Sequence, residues 1–116
     1  MPQSDSLARV IFDAMGDKQA QHMVLLDIRP VSLLTDYFVI GTASSPRQMR
    51  AVVDAAVDAA RQECGAKAVA SDGTEDSGWV LIDFGNVIAH VFDVDRRAYY
   101  DLESLWSKAP MVARMT

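Results

Sequence analysis

The stretch 78-GWVLIDFGNVIAHVFDVDRRAYYDLESLW-106 decides the fold. Two β-rich runs, Trp79–Asp83 and Val87–Asp93, flank Phe84-Gly85-Asn86. Gly-Asn supplies the positive φ angles of a tight turn, so the runs read as an antiparallel hairpin. Both are apolar on successive residues, Val80-Leu81-Ile82 and Val87-Ile88-Ala89, where a half-exposed strand would alternate. The hairpin is therefore expected inside a sheet, covered on both faces. A helix follows it. Counting about 100° per residue from Arg97 puts Ala98, Tyr99, Leu102, Leu105 and Trp106 on the packed side. Tyr100 and Glu103, three apart on another side, become surface neighbours and leave a ring and a carboxylate near solvent.

Working outward from the hairpin, Asp72–Gly78 (DGTEDSG) reads as a flexible acidic loop and Lys67–Ser71 as a strand. Before them lies the longest helix. Ser45 stands at its N-cap, Pro46 at the first helical position, Gln48 completes a capping box, and Gly65 stops it. Met49, Val52, Val53, Ala56, Val57, Ala60 and Cys64 form its apolar stripe. A strand–helix–strand unit of this kind is expected to be parallel and right-handed. Further upstream, Met23–Ile28 and Asp36–Gly41 read as antiparallel strands, because Val31–Asp36 is too short for a crossover helix. Ser4 or Asp5 can cap a first helix carrying Leu7, Val10, Ile11 and Ala14, with Gly16 placed to end it. Downstream, Ser107–Thr116 contains Pro110 and no periodic stripe, and reads as a frayed tail. The expectation is a single mixed α/β domain over residues 1–107, with a flexible tail over 108–116. Its order is α-β-β-α-β-β-β-α, a five-stranded mixed sheet flanked by helices.

The chain has 116 residues, half of them hydrophobic, enough for one domain with a modest core. Sixteen acids oppose eleven bases for a net charge of −5, with no basic run. Binding to a phosphate backbone draws on clustered Lys and Arg, so a basic protein surface is the better electrostatic match than nucleic acid. Cys64 is the lone cysteine, which excludes an intrachain disulfide and a thiolate zinc site. Neither a signal peptide nor a membrane-length apolar run is visible, and a cytoplasmic protein is expected.

An enzyme reading is available. Gly41-Thr42-Ala43-Ser44-Ser45 could cradle phosphate before a helix, with Asp93 and Asp95 as metal-binding carboxylates of a metal-dependent nucleotidyltransferase-like site. Yet no Lys follows the turn as in a P-loop, the Ser45 cap already accounts for those residues, and Asp95 serves equally as an N-cap. His90 could be a base oriented by Asp83 or Asp27, but no nucleophile stands near it in sequence, and a satisfied half-buried histidine is the simpler role. Trp79, beside Asp72, Glu75 and Asp76, reads either as an interface anchor or as a core residue, and composition does not choose between the two. If the last helix packs beside the hairpin, Tyr100, Asp101 and Glu103 join it on one acidic, aromatic docking surface.

The pattern Arg97-x-x-Tyr100-x-Leu102-Glu103-x-Leu105-Trp106, preceded by Trp79, Asp83, Gly85 and His90-Val91, resembles the ribosomal silencing factor (RsfS, or iojap-like) family. Thr35-Asp36-Tyr37-Phe38-Val39-Ile40, then Thr42, Ser45, Arg47 and Gln48, matches the same family, and the resemblance runs from about Leu7 to Trp106. It implies a nucleotidyltransferase-like fold without catalytic residues, and no enzyme, cofactor or metal. It further implies binding to the large ribosomal subunit through ribosomal protein uL-fourteen, which blocks subunit joining and represses translation. Organellar relatives are implied to act in large-subunit assembly, and some members to form homodimers in free solution. The partner-binding residues it suggests here are Asp72, where the family usually has Glu, with Trp79, Tyr100 and Glu103. Gly41 stands in place of a frequent Cys, and Asn86 in place of a frequent Asp, which keeps the turn and loses a charge.

Overall fold

The computed structural model describes residues 4–115. Residues 1–3 and 116, which begin the expected domain and end the expected tail, lie outside the described residues. The elements are α1 (Ser4–Asp17), β1 (Gln21–Asp27), β2 (Tyr37–Thr42), α2 (Pro46–Cys64), β3 (Ala70–Asp72), β4 (Trp79–Asp83), β5 (Val87–Phe92), α3 (Val94–Tyr100), α4 (Leu102–Leu105) and β6 (Met111–Met115). They build one mixed sheet in the order β3-β4-β5-β2-β1-β6. At its middle β2 and β5 run parallel, Tyr37 opposite Val87 through Thr42 opposite Phe92, and the other neighbours are antiparallel. Among the described residues no helix is long and apolar enough to cross a membrane.

Every residue of β2 and β5 is buried, because a parallel pair at a sheet centre needs cover on both faces. On one face Val39, Val87, Ala89 and Val91 pack under α1 and α2, through Ile11, Met15, Met49 and Val52. On the other, Phe38, Ile40, Ile88 and Phe92 meet Leu102, Ala109 and the half-buried Trp106. Two opposed cores explain why β5 does not alternate; β4, expected to be covered on both faces, is buried only at Val80 and Ile82 and half-buried at Trp79, Leu81 and Asp83. Its turn needs one positive φ, at Gly85 (91°), where Asp83 Oδ1 accepts from the Gly85 amide at 2.7 Å and the Phe84 amide donates to Val87 at 2.9 Å. Trp79 thereby faces Phe92, and Asp83 faces Ile88.

α2 is capped as its sequence demands, with the Gln48 amide donating to Ser45 Oγ and Gly65 in the left-handed region at φ 64°. The Gln48 side chain behaves differently from a capping box. It accepts from the Ser44 amide and hydroxyl at 2.6 and 2.8 Å and donates to the Lys18 and Gln19 carbonyls, tying the start of α2 to the end of α1. Gly16 does not end α1, which continues to Asp17; a Cβ there would sit 3.2 Å from Met115 Sδ, so the glycine serves close packing. β3 keeps only Ala70–Asp72 and does not neighbour β2. The α2 crossover passes β5 and β4 to reach the far edge, and the alternation of directions leaves β3 parallel to β2.

Two larger differences lie in the C-terminal part of the chain. The expected frayed tail is a sixth strand: β6 pairs antiparallel with β1 from Met23 opposite Met115 to Leu26 opposite Met111, with a bulge. β1 would otherwise present a row of unpaired N–H and C=O groups, and an edge strand supplies partners without needing a buried stripe of its own. The last helix is also broken. Asp101 takes φ 46° and separates α3 from α4, and aspartate is among the residues that tolerate this region. The break re-aims the helix faces: Leu102 is buried, whereas Tyr99 and Leu105, expected to pack down, are 80% and 73% exposed. Ala98 is exposed as well. Deleting residues 110–116 should lower the calorimetric unfolding midpoint by at least about 5 °C; an unchanged midpoint would mean that β6 adds nothing to the sheet.

Candidate functional site

The hairpin register places Trp79, Leu81, His90 and Phe92 on one face. The Trp79 ring stacks on Phe92 with centroids 4.9 Å apart, and its Nε1–H donates to His90 Nδ1 at 3.3 Å. Accepting at Nδ1 makes His90 the neutral tautomer that carries its proton on Nε2. That Nε2 is buried and has no hydrogen-bond partner among the described residues. His90 is 4% exposed, its ring meets Phe38 edge-on at 4.8 Å, and burial pushes its pKa down to about 4. The carboxylates expected to orient it are engaged elsewhere, Asp83 with the Gly85 amide and Asp27 with Arg29. His90 is thus a fixed acceptor for Trp79.

Over this pair lies Tyr100, the last residue of α3, its ring 4.5 Å from that of Trp79 and 45% exposed. Tyr99 meets Tyr100 edge-on at 5.0 Å. Asp72, at the end of β3 opposite Leu81, completes the wall. Asp72, Gly73, Ser77, Trp79, Leu81, Arg96 and Tyr100 line an open groove of about 230 Å³. The loop expected to be flexible is internally bonded: Ser77 Oγ accepts from the Thr74 amide at 3.1 Å and donates to the Thr74 carbonyl at 2.7 Å. Gly73, at φ 89°, passes so close to the Trp79 carbonyl that any Cβ would collide with it.

Three of the four expected docking residues therefore converge, Asp72, Trp79 and Tyr100. Glu103 does not join them. The break at Asp101 turns it away, and its carboxylate receives Arg97 Nε and Nη2 at 2.8–3.2 Å. Arg96 and Leu81 were not singled out from the sequence. Leu81 follows from the register, two residues from Trp79 on the same face, while Arg96 carried no signal.

The carboxylates of the enzyme reading have structural roles. Asp93 is the N-cap of α3, its Oδ1 accepting from the Arg96 amide at 2.7 Å and its Oδ2 lying 3.4 Å from Arg96 Nη1, and Asp95 lies in the first turn. Gly41 and Thr42 belong to β2 and are buried, leaving Ser45 to cap α2. Among the described residues no group of three His, Cys, Asp or Glu side chains is placed to hold a metal ion.

Burial of His90 has a pH consequence. Above about pH 6.5 the imidazole is neutral folded or unfolded and contributes no pH dependence; below it the unfolded chain takes up a proton that the folded chain refuses. Stability should fall as pH drops from about 6.5 to about 4, by at most about 3 kcal/mol. Urea unfolding across that range should show the slope, and His90→Asn, which retains an acceptor for Trp79, should flatten it. The same slope in the variant would place the acid sensitivity elsewhere.

The family model described as "Ribosomal silencing factor during starvation" matches residues 1–116. A ribosomal silencing factor of Halalkalibacterium halodurans is 39% identical over 109 residues, covering 94% of this chain and 92% of that one. A solved structure from Chromobacterium violaceum superposes with a TM-score of 0.84 at 30% identity, covering 90% of this chain and 87% of the other. A Mus musculus relative, named "Mitochondrial assembly of ribosomal large subunit protein 1", is 28% identical over 100 residues, 84% of this chain and 44% of its own length. With a family model spanning its whole length and a relative at 39% identity, the chain belongs to the ribosomal silencing factor family.

Proposed function

We propose that this chain represses translation by occupying the large ribosomal subunit, seating its Asp72–Trp79–Tyr100 face on ribosomal protein uL-fourteen so that the small subunit cannot join. The observation that carries the reading is a half-exposed Tyr100 whose ring lies tilted against Trp79, 4.5 Å between centroids, beside the exposed carboxylate of Asp72. Aromatic anchors of this kind dominate interface energetics, and rings already held in place lose little rotamer freedom on binding. Net charge −5 favours a basic protein over rRNA and speeds encounter with it. Family membership supplies the ribosome, and the name of the mouse relative supports the large subunit. Steric exclusion needs no chemistry: subunit joining is suppressed wherever the free factor exceeds its dissociation constant. The reading includes a homodimer in free solution, as the resemblance implies for some members; a light-scattering mass of one chain at micromolar concentration would remove that part.

Trp79→Ala combined with Tyr100→Ala should abolish co-sedimentation with purified large subunits, a loss of at least about 100-fold in affinity, with far-UV circular dichroism unchanged. Co-sedimentation retained by the folded double variant would overturn the assigned face. Asp72→Lys should weaken binding about tenfold at low salt and less at high salt, since its contribution is a screened surface charge. The nucleotidyltransferase alternative would gain if calorimetric titration with nucleotide and Mg²⁺ gave heat that Asp93→Asn removed.

A further inference from the structure

Arg97 makes more polar contacts with distant parts of the chain than a surface helix residue needs. Its side chain is 12% exposed. Nη1 donates to Thr42 Oγ1 at 2.8 Å, on a hydroxyl-bearing residue that is itself buried at the end of β2. Nη2 donates at 2.8 Å to the carbonyl of His22, a residue at φ 50° inside the β1 irregularity between Gln21 and Val24. Nε and Nη2 together hold both oxygens of Glu103. The guanidinium thus binds two strand ends on one side and α4 on the other, while its own backbone belongs to α3.

Between Arg97 and Glu103 lies the corner at Asp101. A non-glycine residue at positive φ is a strained conformation that persists only where its surroundings enforce it. The corner is enforced from both sides, by the Asp101 amide donating to the Arg97 carbonyl at 3.1 Å and by the Arg97–Glu103 pair that bridges it. Tyr100 is the residue immediately before the corner. The direction in which its ring leaves α3, onto Trp79, depends on where that helix stops and how it is anchored to β2 and β1.

Resting on the docking reading above, we infer that Arg97 is a positioning residue, which grips Glu103, Thr42 and the His22 carbonyl so that Tyr100 is held on Trp79 in the geometry the ribosomal partner meets. Glu103 then acts through Arg97 and not by touching the partner. A lysine cannot reproduce the arrangement, because three directions of contact need the planar fork of a guanidinium.

The test is a double-mutant cycle on purified large subunits with Arg97→Lys, Tyr100→Ala and the pair together. Arg97→Lys should weaken binding about fivefold, and the double variant should bind within about twofold of Tyr100→Ala alone, because the two act as one unit. The nuclear magnetic resonance signal of the Trp79 indole N–H should shift in Arg97→Lys, although the hydrogen-bond partners of Arg97 are Thr42, His22 and Glu103. Glu103→Gln, which keeps an acceptor and removes the charge, gives the same coupling with a smaller loss and serves if Arg97→Lys fails to fold. Independent, multiplying losses, an unmoved indole signal, or full affinity in Arg97→Lys would each overturn the inference. If Tyr100→Ala alone binds normally, the docking reading fails first and takes the inference with it.

Discussion

The register of one hairpin governs the rest of the molecule. Gly85 takes the positive φ of the turn, Trp79 falls opposite Phe92, and every side chain of β4 and β5 is thereby assigned to a face. Side chains alternate along a strand, so a slip of one residue would exchange the two sets. Trp79 would then face α1 and α2, and its N–H would lose the His90 acceptor. The buried imidazole, the stacked rings and the placement of α3 all follow from that alignment.

The sheet divides its two faces between different tasks. α1 and α2 cover one side with a continuous apolar core, closed by small residues such as Ala56 and Ala60 and by the Gln48 link between the helices. Among the described residues the other side carries only α3 and α4 as helices, seven and four residues long, which cannot cover a six-stranded sheet. Phe38, Ile40 and Phe92 are sealed by Leu102, Ala109 and Trp106, and the cover runs out at Trp79 and Tyr100. The incomplete cover leaves aromatic surface open beside Asp72. This open aromatic surface is a by-product of short helices on a wide sheet, held in place by the core beneath it.

Much of this architecture was legible in the residues. Gly85 beside Asn86 located the hairpin, and Ser45, Pro46 and Gly65 fixed both ends of α2, because turns and caps depend on local chemistry that a sequence carries explicitly. What escaped depended on contacts between distant residues. β6 bears no buried stripe, since an edge strand is stabilised by backbone pairing with β1, which no side-chain pattern announces. The break at Asp101 has no proline or glycine to mark it; it is held by the Asp101 amide on the Arg97 carbonyl and by the Arg97–Glu103 pair across it. Counting helical angles through that break misplaced Tyr99 and Leu105, and it put Glu103 beside Tyr100 when its partner is Arg97. Family membership was readable from two motifs, whereas which of the expected residues share one face required the fold.

We propose that the aromatic side of the sheet, and not the α1–α2 side, meets the ribosome. A cryo-electron microscopy map of the chain bound to purified large subunits tests it most directly. The account predicts Trp79 and Tyr100 buried against uL-fourteen, with Glu103 still on Arg97 and α1 and α2 facing solvent. A map in which α1 and α2 form the contact, with Tyr100 left in water, would contradict it.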